Sequence, residues 1–154
     1  MRLGLFVATC GYIGYVPVAP GTFGSAAGLA LFAAIRWYGS TGVELAVIAC
    51  LLTIGVWSGN IAEKHFGRVD PAPFVLDEVA GMLITLALIP VSVSGAIVGF
   101  LFFRLFDVVK PWPANRLEAL PGGLGMMADD AMAAVYGNVA MRLLVAVVPA
   151  GWLT

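Results

Sequence analysis

Val79-Ala-Gly-Met-Leu-Ile-Thr-Leu-Ala-Leu-Ile-Pro-Val-Ser-Val-Ser-Gly-Ala-Ile-Val-Gly-Phe-Leu-Phe-Phe103 holds no charged residue. It is long enough to cross a bilayer, which takes about 20 apolar residues as a helix. Pro90-Val91-Ser92-Val93-Ser94-Gly95 interrupts it near the middle, where proline removes an N–H and serine and glycine favour a turn. The run therefore reads as two shorter helices, residues 79–89 and 95–109, folded back on each other. In that hairpin Asp77 and Glu78, just before the run, emerge on the same side as Arg104 and Asp107, just after its start back. In a single straight span the membrane would separate them.

Working outward, residues 63–73 form the first polar stretch and should lie in water or at a membrane surface. Before it, residues 23–38 and 43–60 read as two apolar helices joined by the turn Gly39-Ser40-Thr41-Gly42, the second opening with Glu44 where a negative charge suits the helix dipole. They too are expected to pair as a hairpin. The stretch Gly14 to Gly24 carries Pro17, Pro20 and Gly21 and is expected to be a loop, with a short apolar helix ahead of it. Met1-Arg2 and the apolar residues behind them faintly resemble a signal peptide, and Val7-Ala8-Thr9-Cys10 a lipoprotein cleavage site. The apolar core is too short and apolar sequence continues past it, so the start reads as part of the mature protein. After the central run, Arg104, Asp107 and Lys110 stand i, i+3, i+6 on one helix face, and Pro111 ends that helix. Residues 113–125 are a Gly-containing connection, and a last helix runs from about 126–130 to 148.

The totals agree with a membrane protein. The chain has 154 residues, 61% hydrophobic and 11% charged, with a mean hydropathy of +0.99; soluble domains are about a quarter charged. The expectation is a single all-α domain over residues 1–154, a small polytopic membrane helical bundle with helical hairpins and a Gly/Pro-rich N-terminal loop. A net charge of −1 offers no basic surface for nucleic acid. Cys10 and Cys50 lie far apart in apolar runs and read as small packing residues rather than a disulfide. His65 is the only histidine, so a zinc site of the usual pattern and a two-histidine phosphatase mechanism are both excluded. With two hairpins, Thr22, Glu63, Asp77, Glu78, Arg104, Asp107, Asp129 and Asp130 gather on one side. Lys64, Arg68, Arg104, Lys110 and Arg116 lie there against Arg36 and Arg142 opposite, so that side is expected in the cytoplasm.

Asp77, Glu78, Asp107, Asp129 and Asp130 are five carboxylates that would repel one another at one membrane face without compensation. Oxygen-only ligands favour Mg2+ or Mn2+ over zinc or copper, and Mg2+ needs only one or two carboxylates beside waters and phosphate. The plain alternative is helix capping, for which Asp77 and Asp129 are well placed. Pro17-Val-Ala-Pro-Gly-Thr-Phe-Gly-Ser25 ends where a helix begins, a place that suits an anion, with hydroxyls from Thr22 and Ser25. It lacks the lysine of a nucleotide-binding loop. Pro121-Gly122-Gly123-Leu124-Gly125 is either an ordinary connection or a second backbone cradle.

Four blocks, Pro17–Ser25, Asp77-Glu-Val-Ala-Gly81, Phe103-Arg-Leu-Phe-Asp-Val-Val-Lys-Pro-Trp-Pro113 and Gly122-Gly-Leu-Gly-Met-Met-Ala-Asp-Asp130, make the chain resemble the bacterial phosphatidylglycerophosphatase A family over about residues 10–145. Tyr12 and Val16 depart from the small residues expected there, and residues 63–73 match no motif. The resemblance implies a Mg2+-dependent phosphatase of the inner membrane that converts phosphatidylglycerophosphate in the bilayer to phosphatidylglycerol. It implies that Arg104, Lys110 and Thr22 bind substrate, that metal ligands come from Asp77, Glu78, Asp107, Asp129 and Asp130, and that a carboxylate, Asp129 or Asp130 before Asp107, serves as base for water or as nucleophile. Two rival classes are a small cation transporter, which would want carboxylates at mid-span, and a non-catalytic membrane scaffold joined through Gly-rich helix faces such as Gly24 and Gly28.

Overall fold

The computed structural model describes residues 1–149 and 151–154. Among them are seven α-helices and no strand: α1 (Arg2–Ala8), α2 (Pro20–Tyr38), α3 (Thr41–Phe66), α4 (Leu76–Leu86), α5 (Val93–Val109), α6 (Ala114–Leu117) and α7 (Gly123–Val147). A single 3-10 turn, Ile13–Tyr15, lies in the N-terminal loop.

The charge-free run is broken as its proline predicts. α4 ends at Leu86, Leu88 takes a left-handed φ of 60°, and Ser92 caps α5 by accepting a hydrogen bond from the Gly95 N–H at 3.2 Å. The two helices are antiparallel: a Cβ on Gly81 would strike the Phe103 ring, and one on Gly99 would strike Leu86.

α4 is the centre of the bundle. All its residues except Glu78 and Ile84 are buried, and α2, α3, α5 and α7 surround it. At 11 residues it is about 16 Å long, roughly half a hydrocarbon layer. Its last carbonyls therefore end among protein, where an unmet carbonyl is costly. Neighbouring helices supply the donors. The Asn138 amide donates to the carbonyls of Ile84, Thr85 and Ala87 at 3.0–3.1 Å, Arg142 donates to Ala87 at 3.3 Å, and Arg36 donates to Ile89.

α2 lies along α4 in parallel. A Cβ on Gly28 would come within 2.8 Å of the Val79 carbonyl oxygen and the Met82 Cβ, so only glycine lets the two backbones approach this closely. The expected α2–α3 hairpin is only a connection. The turn at Gly39-Ser40 joins them, but α2 packs chiefly on α4 and α3 on α7 and α1.

Several boundaries differ from expectation, and α4 itself runs Leu76–Leu86 rather than 79–89. α2 starts three residues early because Pro20 occupies its first turn, where a missing N–H costs nothing. α3 runs on through Phe66, since the residues after Asn60 are good helix formers and the first stop is Gly67 at φ 66°. α7 starts at Gly123, where a Cβ would lie 2.2 Å from the Val56 carbonyl oxygen, so this glycine serves close packing on α3.

α3 and α7 are long and apolar enough to cross a membrane, and most of each apolar window is uncovered by protein. Trp37, Tyr38 and Trp152 are exposed at the end where α4 stops, and Tyr12, Tyr15 and Trp112 at the other, a spacing that suits two interfacial belts.

Candidate active site

Four element ends meet at the opposite end from the Asn138 clamp. The first turn of α4 carries Asp77 and Glu78, and the last two turns of α5 carry Arg104 and Asp107. Lys110 caps α5 in a left-handed conformation, φ 42°, which turns the chain toward α7. The second turn of α7 carries Asp129 and Asp130. All four aspartates are buried.

Carboxylate oxygens of Asp77, Glu78 and Asp130 lie within 4.8 Å of one another. Two base pairs flank them. Arg104 donates to Asp107 at 2.5 Å and stands 3.9 Å from Glu78. Lys110 donates to Asp129 and stands 4.0 Å from Asp130. The second oxygen of Asp129 accepts the Asp130 N–H at 2.9 Å. Burial works against the Lys110 ammonium, but its hydrogen bond to Asp129 and the charges of Asp129, Asp130 and Asp107 outweigh that and hold its pKa above the ordinary value.

The donor set fits a hard divalent cation. It offers only oxygen, and Glu78 Oε2 and Asp130 Oδ2 are buried with no hydrogen-bond partner. An unmet buried carboxylate oxygen is expensive unless a cation or donor meets it. Of the five carboxylates expected as ligands, the structure gathers Asp77, Glu78 and Asp130, and gives Asp107 and Asp129 to the two bases instead. The helix-capping alternative fails for Asp129 and Asp130, which lie past the first turn of α7.

Gly21 brings the start of α2 against this cluster: a Cβ there would sit 2.2 Å from Glu78 Oε1 and 3.2 Å from an Arg104 guanidinium nitrogen. Thr22 follows it, exposed at the rim. Gly122-Gly123 is no second cradle. The Gly123 N–H donates to the Asn60 side chain at 2.9 Å, which pins the start of α7 to α3. His65 is exposed on α3 against the Phe66 ring and takes no part.

Asp70 was not anticipated. It lies in the unmatched segment between α3 and α4, at a left-handed φ of 46°. Burial raises its carboxyl pKa; Lys110 lowers it, while Glu118 and Asp107 raise it, so it sits within the field of the site. Its only local signal was an acid before Pro71.

The phosphatidylglycerophosphatase A family model matches residues 6–145. The chain belongs to that family. Phosphatidylglycerophosphatase A of Haemophilus influenzae is 34% identical over 128 residues, 82% of this chain and 78% of that protein. Phosphatidylglycerophosphatase A of Escherichia coli is 33% identical over 128 residues, 79% of this chain and 72% of that protein. A Bacteroides thetaiotaomicron protein with the provisional name phosphatidylinositol-3-phosphatase is 33% identical over 133 residues, 82% and 83% of the two chains. No solved structure matches. The four sequence blocks that carry the phosphatidylglycerophosphatase A resemblance are the four element ends that converge here. The chain is thus a phosphatase of phospholipid chemistry, and its family and two apolar helices mark it as a membrane protein.

Proposed function

We propose that the chain hydrolyses the terminal phosphomonoester of phosphatidylglycerophosphate in a Mg2+-dependent reaction, as a step of phospholipid synthesis, in a multi-pass protein of the bacterial inner membrane with its site facing the cytoplasm. The observation that carries this is the meeting of Asp77, Glu78 and Asp130, with two unmet buried oxygens, beside Arg104 and Lys110. Asp77, Glu78 and Asp130 hold the cation. Mg2+, when bound, offsets charge on the phosphoryl oxygens and acidifies water.

The rest falls to the chain's own side chains. Arg104 and Lys110, on either side of the carboxylates, hold the phosphoryl oxygens, the guanidinium in a two-pronged contact. When Arg104 turns to the phosphate it releases Asp107, which takes the proton of the attacking water; as the P–O bond to the glycerol breaks, the departing oxygen takes up a proton from solvent. Asp129 has both oxygens engaged, by Lys110 and by the Asp130 N–H, and serves to aim Lys110. The base role thus passes to Asp107 from Asp129 or Asp130, the pair first favoured. Thr22 at the rim meets the headgroup.

The deciding experiment is phosphate release by detergent-purified protein, with Mg2+ and then with excess chelator. Release from phosphatidylglycerophosphate that stops with chelator is the expected result. Undiminished release in chelator would remove the metal from the reading. Release from phosphatidylinositol 3-phosphate alone would move the substrate to the one named for the Bacteroides relative.

A further inference from the structure

We propose that the groove between α5 and α7 seats an acyl chain of the lipid substrate while its terminal phosphate lies between Arg104 and Lys110; this rests on the lipid-phosphatase reading above. The groove encloses about 570 Å³, and its walls include Phe106, Pro111, Trp112, Tyr136, Val139 and Leu143. Its near end lies beside the site in the chain: Phe106 adjoins Asp107, and Pro111 follows Lys110. Tyr136 stands seven residues beyond Asp129 on α7, so it shares that residue's face about two turns, or roughly 10 Å, further along the axis. Val135, Val139 and Leu143, at four-residue spacing and all exposed, carry the wall on from there, away from the charged end. The groove therefore leads in the direction that tails must take when the headgroup is held at the site.

Two observations single it out from lipid-facing surface in general. The cavities around Phe32, Arg36 and Val91 and around Leu88, Pro90 and Arg142 lie at the opposite end of the bundle, whereas this groove is lined by the chain neighbours of Asp107 and Lys110. The groove's one hydroxyl is also already used, since Tyr136 donates to the Trp112 carbonyl at 2.9 Å. What remains is an open apolar groove along α7. Lipid tails are as apolar as the groove, so leaving the bilayer gains a chain little. The groove acts on position: it sets the depth and angle at which the phosphate arrives.

The test uses a diazirine placed in one acyl chain, carried either by phosphatidylglycerophosphate or by phosphatidylcholine, and the full-length protein in detergent micelles. The expected result is labelling of the peptide spanning residues 135–143 by the first lipid well above the second, competed by unlabelled phosphatidylglycerophosphate. Equal labelling by both would mean only bulk lipid lies there and would overturn the proposal. The kinetic counterpart is Val139→Trp, which narrows the groove. It should lower the ratio of dioleoyl to dihexanoyl kcat/KM about tenfold, short of the ~100-fold that a 1 Å misplacement of a reacting group can cost, whereas Leu101→Trp, outside the groove, keeps the wild-type ratio. A ratio unchanged by Val139→Trp would also overturn the proposal. Selective labelling without phosphate release would keep the groove and sink the reaction, and release without selective labelling would do the reverse.

Discussion

Lys110 is the residue on which the two halves of the site depend. It closes α5 and reaches across to Asp129 on α7, a carboxylate only 2% exposed. Removing one partner of a buried ion pair leaves the other charge uncompensated, which costs about 3–5 kcal/mol, whereas removing both charges can be nearly neutral. Lys110→Met should therefore lower the unfolding midpoint in detergent sharply, and Lys110→Met with Asp129→Asn should recover most of it without recovering hydrolysis. Recovery of hydrolysis by the double variant would show that neither group contributes to the reaction. Asp77 and Asp107 test the other half. Asp77→Asn removes a proposed cation ligand, and Asp107→Asn removes the proposed base; each should lower kcat by at least about 100-fold. The two differ in metal response: extra Mg2+ should partly restore Asp77→Asn and leave Asp107→Asn unmoved. The pairing itself was beyond sequence. Five acids and two bases could be picked out by their scarcity, but which acid answers which base depends on the turn at Lys110 and on the approach of α7. Asp70 was missed because a single acid in a polar stretch is indistinguishable from a solvated one until the loop is seen to fold back.

At the scale of elements, the break in the charge-free run was legible because proline and serine have local consequences that packing does not reverse. Glycine misled at the start of α7. Gly122, Gly123 and Gly125 read as a flexible connection, but close packing on Val56 and Asn60 outweighs their poor helix propensity, and Asp129 and Asp130 move from cap positions into the second turn. α4 shows what the sequence could not display at all. A helix of this length that stops inside the bundle needs donors from elsewhere, and Asn138, one of few polar residues in α7, answers three carbonyls at once. Asn138→Leu keeps the size and removes the donors. The Ile84 carbonyl keeps the Ala87 N–H and the Ala87 carbonyl keeps Arg142, which leaves the Thr85 carbonyl without its donor; a buried acceptor left unmet costs about 1–3 kcal/mol, so this variant should unfold below the wild type by thermal denaturation in detergent. What remains folded should still hydrolyse substrate, because the site lies at the other end of α4. An unchanged midpoint would show that water reaches those carbonyls.

For the whole molecule, the charges that orient it are not the same as those that hold it together. Lys64, Arg68, Arg104, Lys110 and Arg116 belong to the site end. The far end has Arg36 and Arg142, and both are occupied by carbonyls just past the end of α4, Arg36 also lying 3.8 Å from the fully buried Glu44. Arg104 and Lys110 are likewise engaged, by Asp107 and Asp129, so the proposed cytoplasmic placement of the site end rests on the plain excess of Lys and Arg there. The orientation also matters chemically, since a lipid phosphate made on the inner leaflet can reach only a site that opens there. Single cysteines decide it, once Cys10 and Cys50 are replaced: Arg68→Cys in the exposed loop after α3, and Thr41→Cys at the exposed start of α3. In intact spheroplasts a membrane-impermeant maleimide should label the Thr41→Cys variant at once and the Arg68→Cys variant only after lysis. The reverse pattern would place the carboxylates outside and leave the proposed reaction without access to its substrate. Labelling of both in intact cells would mean that the bundle does not cross the membrane as its two long apolar helices allow.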